Sequence, residues 1–279
     1  MRAGLALLGL ATAWMGCAAG PDLRLIAGRT RVIAHRGGSG PDGTVAGCRR
    51  SLALGVVFLE LDVRLTRDGQ AVILHDPTVD RTTDGRGPVE GLTLEELKRL
   101  DAGAKFRDPA EPGRSYAGER IPTVAELLRA VGPRGIVLLE LKVPRAAGPV
   151  IEAIRAEGAF DRAVVRTADE ELLRAIRASE PRVRTGTMGA FPAAPELEAF
   201  ASRLSDLGVR AFTPRQDERV TPAAVRRLQA AGIAVWGTNT NDLEVMRRLI
   251  DAGVDGIITD HPRMLLELLS QADRGGKTP

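Results

Sequence analysis

The sequence predicts a (β/α)8 TIM barrel, an α/β fold, with one extra antiparallel hairpin strand and a small insertion after it. Three observations carry this. From residue 31 onward, short β-rich runs alternate with amphipathic stretches, the pattern of parallel α/β architecture. One pair of runs, Val57–Val63 and Ala71–His75, breaks the alternation: the link Arg64–Gln70 is too short for a parallel crossover and contains the turn pair Asp68-Gly69. Setting that extra strand aside leaves eight, and a barrel of about 250 residues fits the 279-residue chain without a second domain.

The other strands are expected at Arg31–His35, Gly135–Leu141, Ala163–Thr167, Arg182–Met188, Val209–Thr213, Ile233–Thr238 and Gly256–Thr259. Helices are expected at Val45–Leu54, Thr123–Val131, Pro149–Glu157, Asp169–Ala178, Pro195–Leu207, Pro222–Ala231 and Asp242–Ala252. Two open on start signals, Thr123 with Glu126 three residues on and Thr221 with Pro222. Centring the hairpin turn on Asp68-Gly69 puts Asp62 roughly opposite His75. The barrel domain is expected over 31–268, with an insertion over about 77–120. That insertion holds a short helical piece, Thr93–Leu100, and a Pro/Gly-rich loop, Arg107–Arg120. Residues 271–279 read as a disordered tail.

Hydrophobic residues make up 44% of the chain, enough for one full core, and aromatics only 3%, so Leu, Val, Ile and Ala must fill it. The net charge is +3, and the only lysines are Lys98, Lys105, Lys142 and Lys277. No basic block or aromatic–basic interleaving occurs, so no nucleic-acid partner is expected.

Residues 1–20 form a separate segment. Arg2 precedes an uncharged apolar run from Ala3 to Ala19, the order of an export signal. Met15-Gly16-Cys17-Ala18 resembles a bacterial lipobox, with Trp14 at the usual Leu position, so Cys17 is the candidate for lipidation. The expected location is the periplasm or cell envelope, with membrane attachment through an N-terminal lipid; a plain cleaved signal or an uncleaved anchor is the alternative. The other cysteine, Cys48, reads as a small core residue.

Chemistry concentrates at strand ends. His35 and His75 close two expected strands, at the end of a barrel where active sites are built. Glu60 and Asp62, two apart on one strand, share a face, and Glu140 ends another apolar run. Carboxylates in such runs are costly unless paired or metal-bound. Three of them meeting at a barrel mouth make an oxygen-rich site for one divalent ion, Ca²⁺ or Mg²⁺.

These residues sit in Ile33-Ala34-His35-Arg36-Gly37-Gly38, Phe58-Leu59-Glu60-Leu61-Asp62-Val63, Thr66-Arg67-Asp68-Gly69, His75-Asp76, Arg81-Thr82-Thr83 and Glu140-Leu141-Lys142. Val235-Trp236-Gly237-Thr238-Asn239 and Thr259-Asp260-His261-Pro262 follow. In that order and spacing the chain resembles the glycerophosphodiester phosphodiesterases over residues 31–268. The resemblance implies metal-dependent hydrolysis of a glycerophosphodiester to glycerol 3-phosphate and an alcohol. It implies His35 and His75 as the acid–base pair, Glu60, Asp62 and Glu140 as metal ligands, and Arg36 and Lys142 at the substrate phosphate. Trp236, Asn239 and Asp42 would support the pocket, Asp260 would lock the last strand, and His261 falls at a variable position. Which histidine is acid, and whether water or a substrate hydroxyl attacks, stays open.

The chain departs from the family where Pro41-Asp42-Gly43-Thr44 replaces the usual Pro-Glu-Asn-Thr. A shorter acid is expected to weaken support of the metal or of His35, unless the loop has moved inward with Gly43 at positive φ. The strand ending near Thr167 lacks the family's usual Ser-Phe. Competing readings are a phosphodiesterase acting on lysophospholipids and a weakly active or non-catalytic envelope binding protein.

Overall fold

The computed structural model describes residues 30–215 and 219–275. The export-type segment with Cys17, and residues 276–279 of the expected tail, lie outside them. The strands are β1 (Arg31–Ala34), β2 (Phe58–Leu65), β3 (Ala71–Ile73), β4 (Ile136–Leu141), β5 (Ala163–Arg166), β6 (Arg184–Gly189), β7 (Val209–Pro214), β8 (Ala234–Gly237) and β9 (Gly256–Thr259). The helices are α1 (Val45–Ala53), α2 (Leu94–Lys98), α3 (Val124–Val131), α4 (Ala147–Ala156), α5 (Glu170–Ser179), α6 (Leu197–Asp206), α7 (Pro222–Ala230), α8 (Leu243–Ala252) and α9 (Pro262–Gly275).

Pairing runs β1-β9-β8-β7-β6-β5-β4-β2, and β1 also pairs with β2, so eight parallel strands close into a barrel. β3 adds antiparallel to β2, with Val63 opposite Ile73. The backbone N–H of Leu74 donates to Asp62 O at 3.0 Å, so Asp62 faces Leu74 and not His75, one residue off the expected register. Alternation along each strand divides the core in two. Ile33, Phe58, Leu138, Val164, Trp236 and Ile258 fill the barrel interior, while Val32, Leu59, Leu61, Val137 and Val165 face the helices. A layer of mostly aliphatic side chains suffices, as the composition requires.

Local signals set the ends of the elements. Thr123 and Glu126 form a capping box at α3, and Thr221 accepts from Ala224 N at 3.3 Å to open α7. α9 has no counterpart among the expected helices, and it runs through Gln271 to Gly275, into the stretch read as a tail. Its apolar residues Leu265 and Leu268 are buried against the barrel. The insertion is packed rather than loose. Val72, Leu74, Val79, Val89, Leu97 and Ile121 form their own apolar cluster, and Arg50 of α1 holds Asp108, Tyr116 and Glu111 of the Pro/Gly-rich loop. Cys48 is fully buried in the core, and burial pushes its thiol up to about 12.

The turn after β1 wraps onto α1. Arg36 stands at φ 52°, the one non-glycine residue with positive φ among the described residues. Ser51 Oγ donates to Gly37 O at 2.6 Å, and a Cβ on Gly37 would lie 2.9 Å from Cys48 Sγ. The loop that follows returns to the same turn: Gly43 N–H donates to Arg36 O at 2.8 Å. Gly43 has φ 68°, and a Cβ there would lie 3.0 Å from Ile73 Cγ2. Gly43→Ala is therefore expected to lower stability by about 1–2 kcal/mol, from left-handed strain added to crowding. Urea unfolding measures it, and an unchanged midpoint would show that the loop does not need glycine.

Candidate active site

Register gathers the charged groups at the carboxyl ends of the strands. Asp62 on β2 is the Cα partner of Glu140 on β4, and Glu140 is the partner of Arg166 on β5, so the three form one row. Glu60 lies two residues deeper on the same face of β2. Glu60, Asp62 and Glu140 each offer an oxygen, and these atoms lie within 4.8 Å of one another. Glu60 and Asp62 are buried, at 1% and 3% exposure.

Three like charges so close would repel, so cations must join them. Lys142 Nζ stands 2.9 Å from Asp62 Oδ1 and also binds Glu140 Oε1. Arg166 Nη2 donates to Glu60 Oε1 and Glu140 Oε2, both at 2.6 Å. Burial, and then the neighbouring Asp62, push the Glu60 carboxyl above its usual range. Burial works the same way on Glu140, but Arg166 and Lys142 outweigh it and hold that carboxyl below the usual range. For Lys142, burial is outweighed by Asp62 and Glu140, which raise its ammonium above the ordinary value. The all-carboxylate donor set suits a hard divalent cation, and the cluster can hold one metal ion.

Both histidines are braced through Nδ1. His35 Nδ1 is 2.6 Å from Asp260 Oδ1, and His75 Nδ1 is 2.6 Å from Asp76 Oδ1. Asp260 is itself held by Asn241 Nδ2 at 2.7 Å and by Asn239 Nδ2 at 3.4 Å. Burial disfavours charge on His35, but the Asp260 bond and the nearby Glu60 prevail and raise its pKa. Asp260 is held well below the carboxylate range, first by its bond to His35. Burial opposes ionisation of Asp76, yet bonds from Arg81 and His75 bring it to about 2. With Nδ1 engaged, Nε2 of each ring is left to face a substrate, that of His35 standing 4.0 Å from Glu60 Oε2.

His35, Glu60, Asp62, His75, Glu140 and Lys142 line one pocket of about 140 Å³, together with Arg166, Met188, Thr213, Arg215, Thr238, Asn239 and Ile258. Of the residues singled out in the sequence, Trp236 lies beneath this pocket, buried in the barrel interior with its ring edge-on to Phe58 at 6.3 Å. Arg36 does not line the pocket. Its Nη1 donates to Asp42 at 3.1 Å, its Nε lies 3.9 Å from Asp62 Oδ2, and its backbone N–H donates to Glu60 Oε2 at 3.3 Å. Asp42 stands outside the carboxylate trio and bridges Arg36 to Arg81, whose Nη1 is 2.9 Å away. The shorter acid thus reaches Arg36 and Arg81, and Gly43 stands at positive φ. A larger cavity of about 410 Å³ lies at the opposite ends of the strands, lined by Arg31, Phe58 and Asp255, and holds no histidine.

Sequence reasoning missed two features of this site. Asp260 ties the end of β9 to Asn239 and Asn241 beyond β8, as expected, but it is also the partner of His35. Arg166 belongs to the carboxylate cluster. Its signal was present, a charge ending the apolar run Val164-Val165, the same cue that marks Glu140.

Comparison with known proteins agrees with this geometry. The family model described as "Glycerophosphoryl diester phosphodiesterase family" matches residues 35–264. The chain is 36% identical over 249 residues to the glycerophosphodiester phosphodiesterase of Caldanaerobacter subterraneus subsp. tengcongensis, covering 86% of this chain and 98% of that one. Its fold matches an Oleispira antarctica phosphodiesterase in complex with the product sn-glycerol-3-phosphate, with TM-score 0.74 and 28% identity over 86% of this chain and 96% of that one. It also matches the glycerophosphodiester phosphodiesterase of Agrobacterium tumefaciens C58, with TM-score 0.69 and 27% identity, covering 86% of this chain and all of that one, 100%. A matched model spanning the barrel from His35 onward, together with the clustered histidines and carboxylates, places the chain in the glycerophosphoryl diester phosphodiesterase family.

Proposed function

We propose that the chain hydrolyses glycerophosphodiesters to glycerol 3-phosphate and an alcohol, using His35 and His75 as acid and base and a divalent cation held by Glu60, Asp62 and Glu140. The observation that carries this is the pocket itself: two histidines, each braced by an aspartate, line it together with the carboxylate trio and Lys142. The product complex of the Oleispira relative supports glycerol 3-phosphate as the product.

Each group has a role in that reaction. The cation, Ca²⁺ or Mg²⁺, would supply positive charge at the phosphate oxygens as the transition state gathers negative charge there. Lys142, on a flexible stem and 21% exposed, adds a second positive charge from the pocket wall. His35, with its pKa raised, is the proton donor to the leaving oxygen, and His75 accepts the proton of the attacking oxygen. Arg36 acts from behind, holding the turn that carries His35 by its backbone bond to Glu60. Apolar lining is confined to Met188 and Ile258 apart from aliphatic stems, which favours a small polar diester over a lysophospholipid. Export with acylation at Cys17 is proposed from the sequence alone. A mature N-terminus at Cys17 in the native host supports it, and an intact Met1 refutes it.

Incubation with glycerophosphocholine and either cation should release glycerol 3-phosphate and choline; absence of turnover on any soluble glycerophosphodiester would contradict the proposal. His35→Ala and His75→Ala should each lower kcat about 10²-fold or more while the chain still folds and binds cation. Near-normal turnover in either variant removes that histidine from the chemistry. The raised pKa of His35 has a second consequence. Its charged form stabilises the fold fully below the unfolded-state value, and that contribution fades as pH rises through the folded value. Asp260→Asn removes the first stabilising partner, so the His35 imidazole should titrate at lower pH in the variant by NMR. An unchanged titration would show that Asp260 does not set its charge.

A further inference from the structure

Arg166 occupies a position that the proposed reaction does not use. It ends β5, and its side chain crosses above β4 to reach Glu60 on β2. The side chain is only 5% exposed. One nitrogen, Nη2, bridges Glu60 Oε1 and Glu140 Oε2 at 2.6 Å each, while Nη1 lies 3.3 Å from Thr213 Oγ1 on β7. Its Nε is buried without a hydrogen-bond partner. An orphaned buried donor is costly, so the guanidinium is held by its two carboxylates rather than by a full set of partners.

The oxygens that Arg166 grips belong to two of the three carboxylates that would hold the cation. Their remaining oxygens are engaged as well: Glu140 Oε1 by Lys142, and Glu60 Oε2 by the backbone N–H of Arg36. A cation entering among these carboxylates must displace a resident contact. Lys142 can withdraw along a flexible, part-exposed stem. Arg166 has no such exit, because it is buried on all but one-twentieth of its surface. Its charge remains beside the trio whether or not its bonds are broken, and like charges at such separations repel strongly in a poorly solvated site.

We propose that Arg166 is a built-in rival of the divalent cation: it neutralises Glu60 and Glu140 in the cation-free protein and weakens cation binding at the trio. The inference rests on the assignment of Glu60, Asp62 and Glu140 as the cation site. It makes Arg166 a residue that sets the cation concentration at which the site fills, and it gives the cation-free barrel an internal counter-ion.

Isothermal titration of Ca²⁺ and of Mg²⁺ into the intact protein tests this without reference to turnover. Arg166→Gln should tighten the Kd for both ions about tenfold or more, because one positive charge leaves the site. The same variant should melt lower than wild type in EDTA and regain stability when cation is added. Arg166→Lys keeps the charge but is shorter and has a single nitrogen head, and should tighten binding less; if Arg166→Gln does not fold, a tightened Kd in Arg166→Lys carries the test. A Kd unchanged or weakened in Arg166→Gln, with wild type binding cation normally, overturns the rivalry while leaving the cation site intact. If neither wild type nor variant binds cation, the site assignment and the inference fall together.

Discussion

Three carboxylates within 4.8 Å of one another, two of them buried, are the constraint on which the rest of this barrel mouth depends. Left alone they would repel and take up protons, since burial and mutual charge both favour the neutral form. The structure answers with cations from separate elements: Lys142 from just beyond β4, Arg166 from β5 and Arg36 from the turn after β1. Parallel register makes this possible. Because Asp62, Glu140 and Arg166 are successive Cα partners across β2, β4 and β5, their side chains arrive at one height above the interior core. Trp236 and Phe58 close the barrel below that row.

The two histidines are fitted around the same cluster. His35 follows β1 in a turn whose Arg36 adopts φ 52°, a conformation costly for a side-chain-bearing residue. The turn is fixed from three sides, by Ser51 on Gly37 O, by Gly43 on Arg36 O, and by the Arg36 N–H on Glu60. Asp42 and Arg81 extend this brace to Asp76 and so to His75. The two histidines are therefore linked to each other and to the trio through one connected set of charged groups.

Much of this was legible in the sequence. Helical and strand periodicity located eight barrel strands, the hairpin strand β3 and eight of the helices to within a few residues, and the short Asp68-Gly69 link required an antiparallel partner. His35 and His75 stood out because they close strands at the barrel's active-site end, and Glu60, Asp62 and Glu140 because charge in an apolar strand needs a partner. What failed to show depended on partners distant in the chain. Asp260 lies 225 residues from His35, and nothing in Thr259-Asp260 names its target. Arg166 ends a strand as Glu140 does, but its significance appears only once register aligns the two. At the Asp42-Gly43 loop, sequence records side-chain length and not the position of the backbone that carries it, so the contacts of Asp42 to Arg36 and Arg81 were not legible. α9 had no counterpart among the expected helices, although Pro262 is well placed at a helix start.

Glu60, Asp62 and Glu140 are the proposed single cation site, its oxygens now shared by Lys142 and Arg166. A crystal structure of the full chain grown with Mn²⁺, with anomalous data collected at the metal edge, tests it most directly. One anomalous peak is expected at about 2.0–2.6 Å, the range of hard-cation bonds to oxygen, from an oxygen of each carboxylate. Lys142 and Arg166 should have drawn back from the oxygens they now hold. A peak bound elsewhere, or an occupied site in which both cationic side chains keep their present contacts, would contradict it.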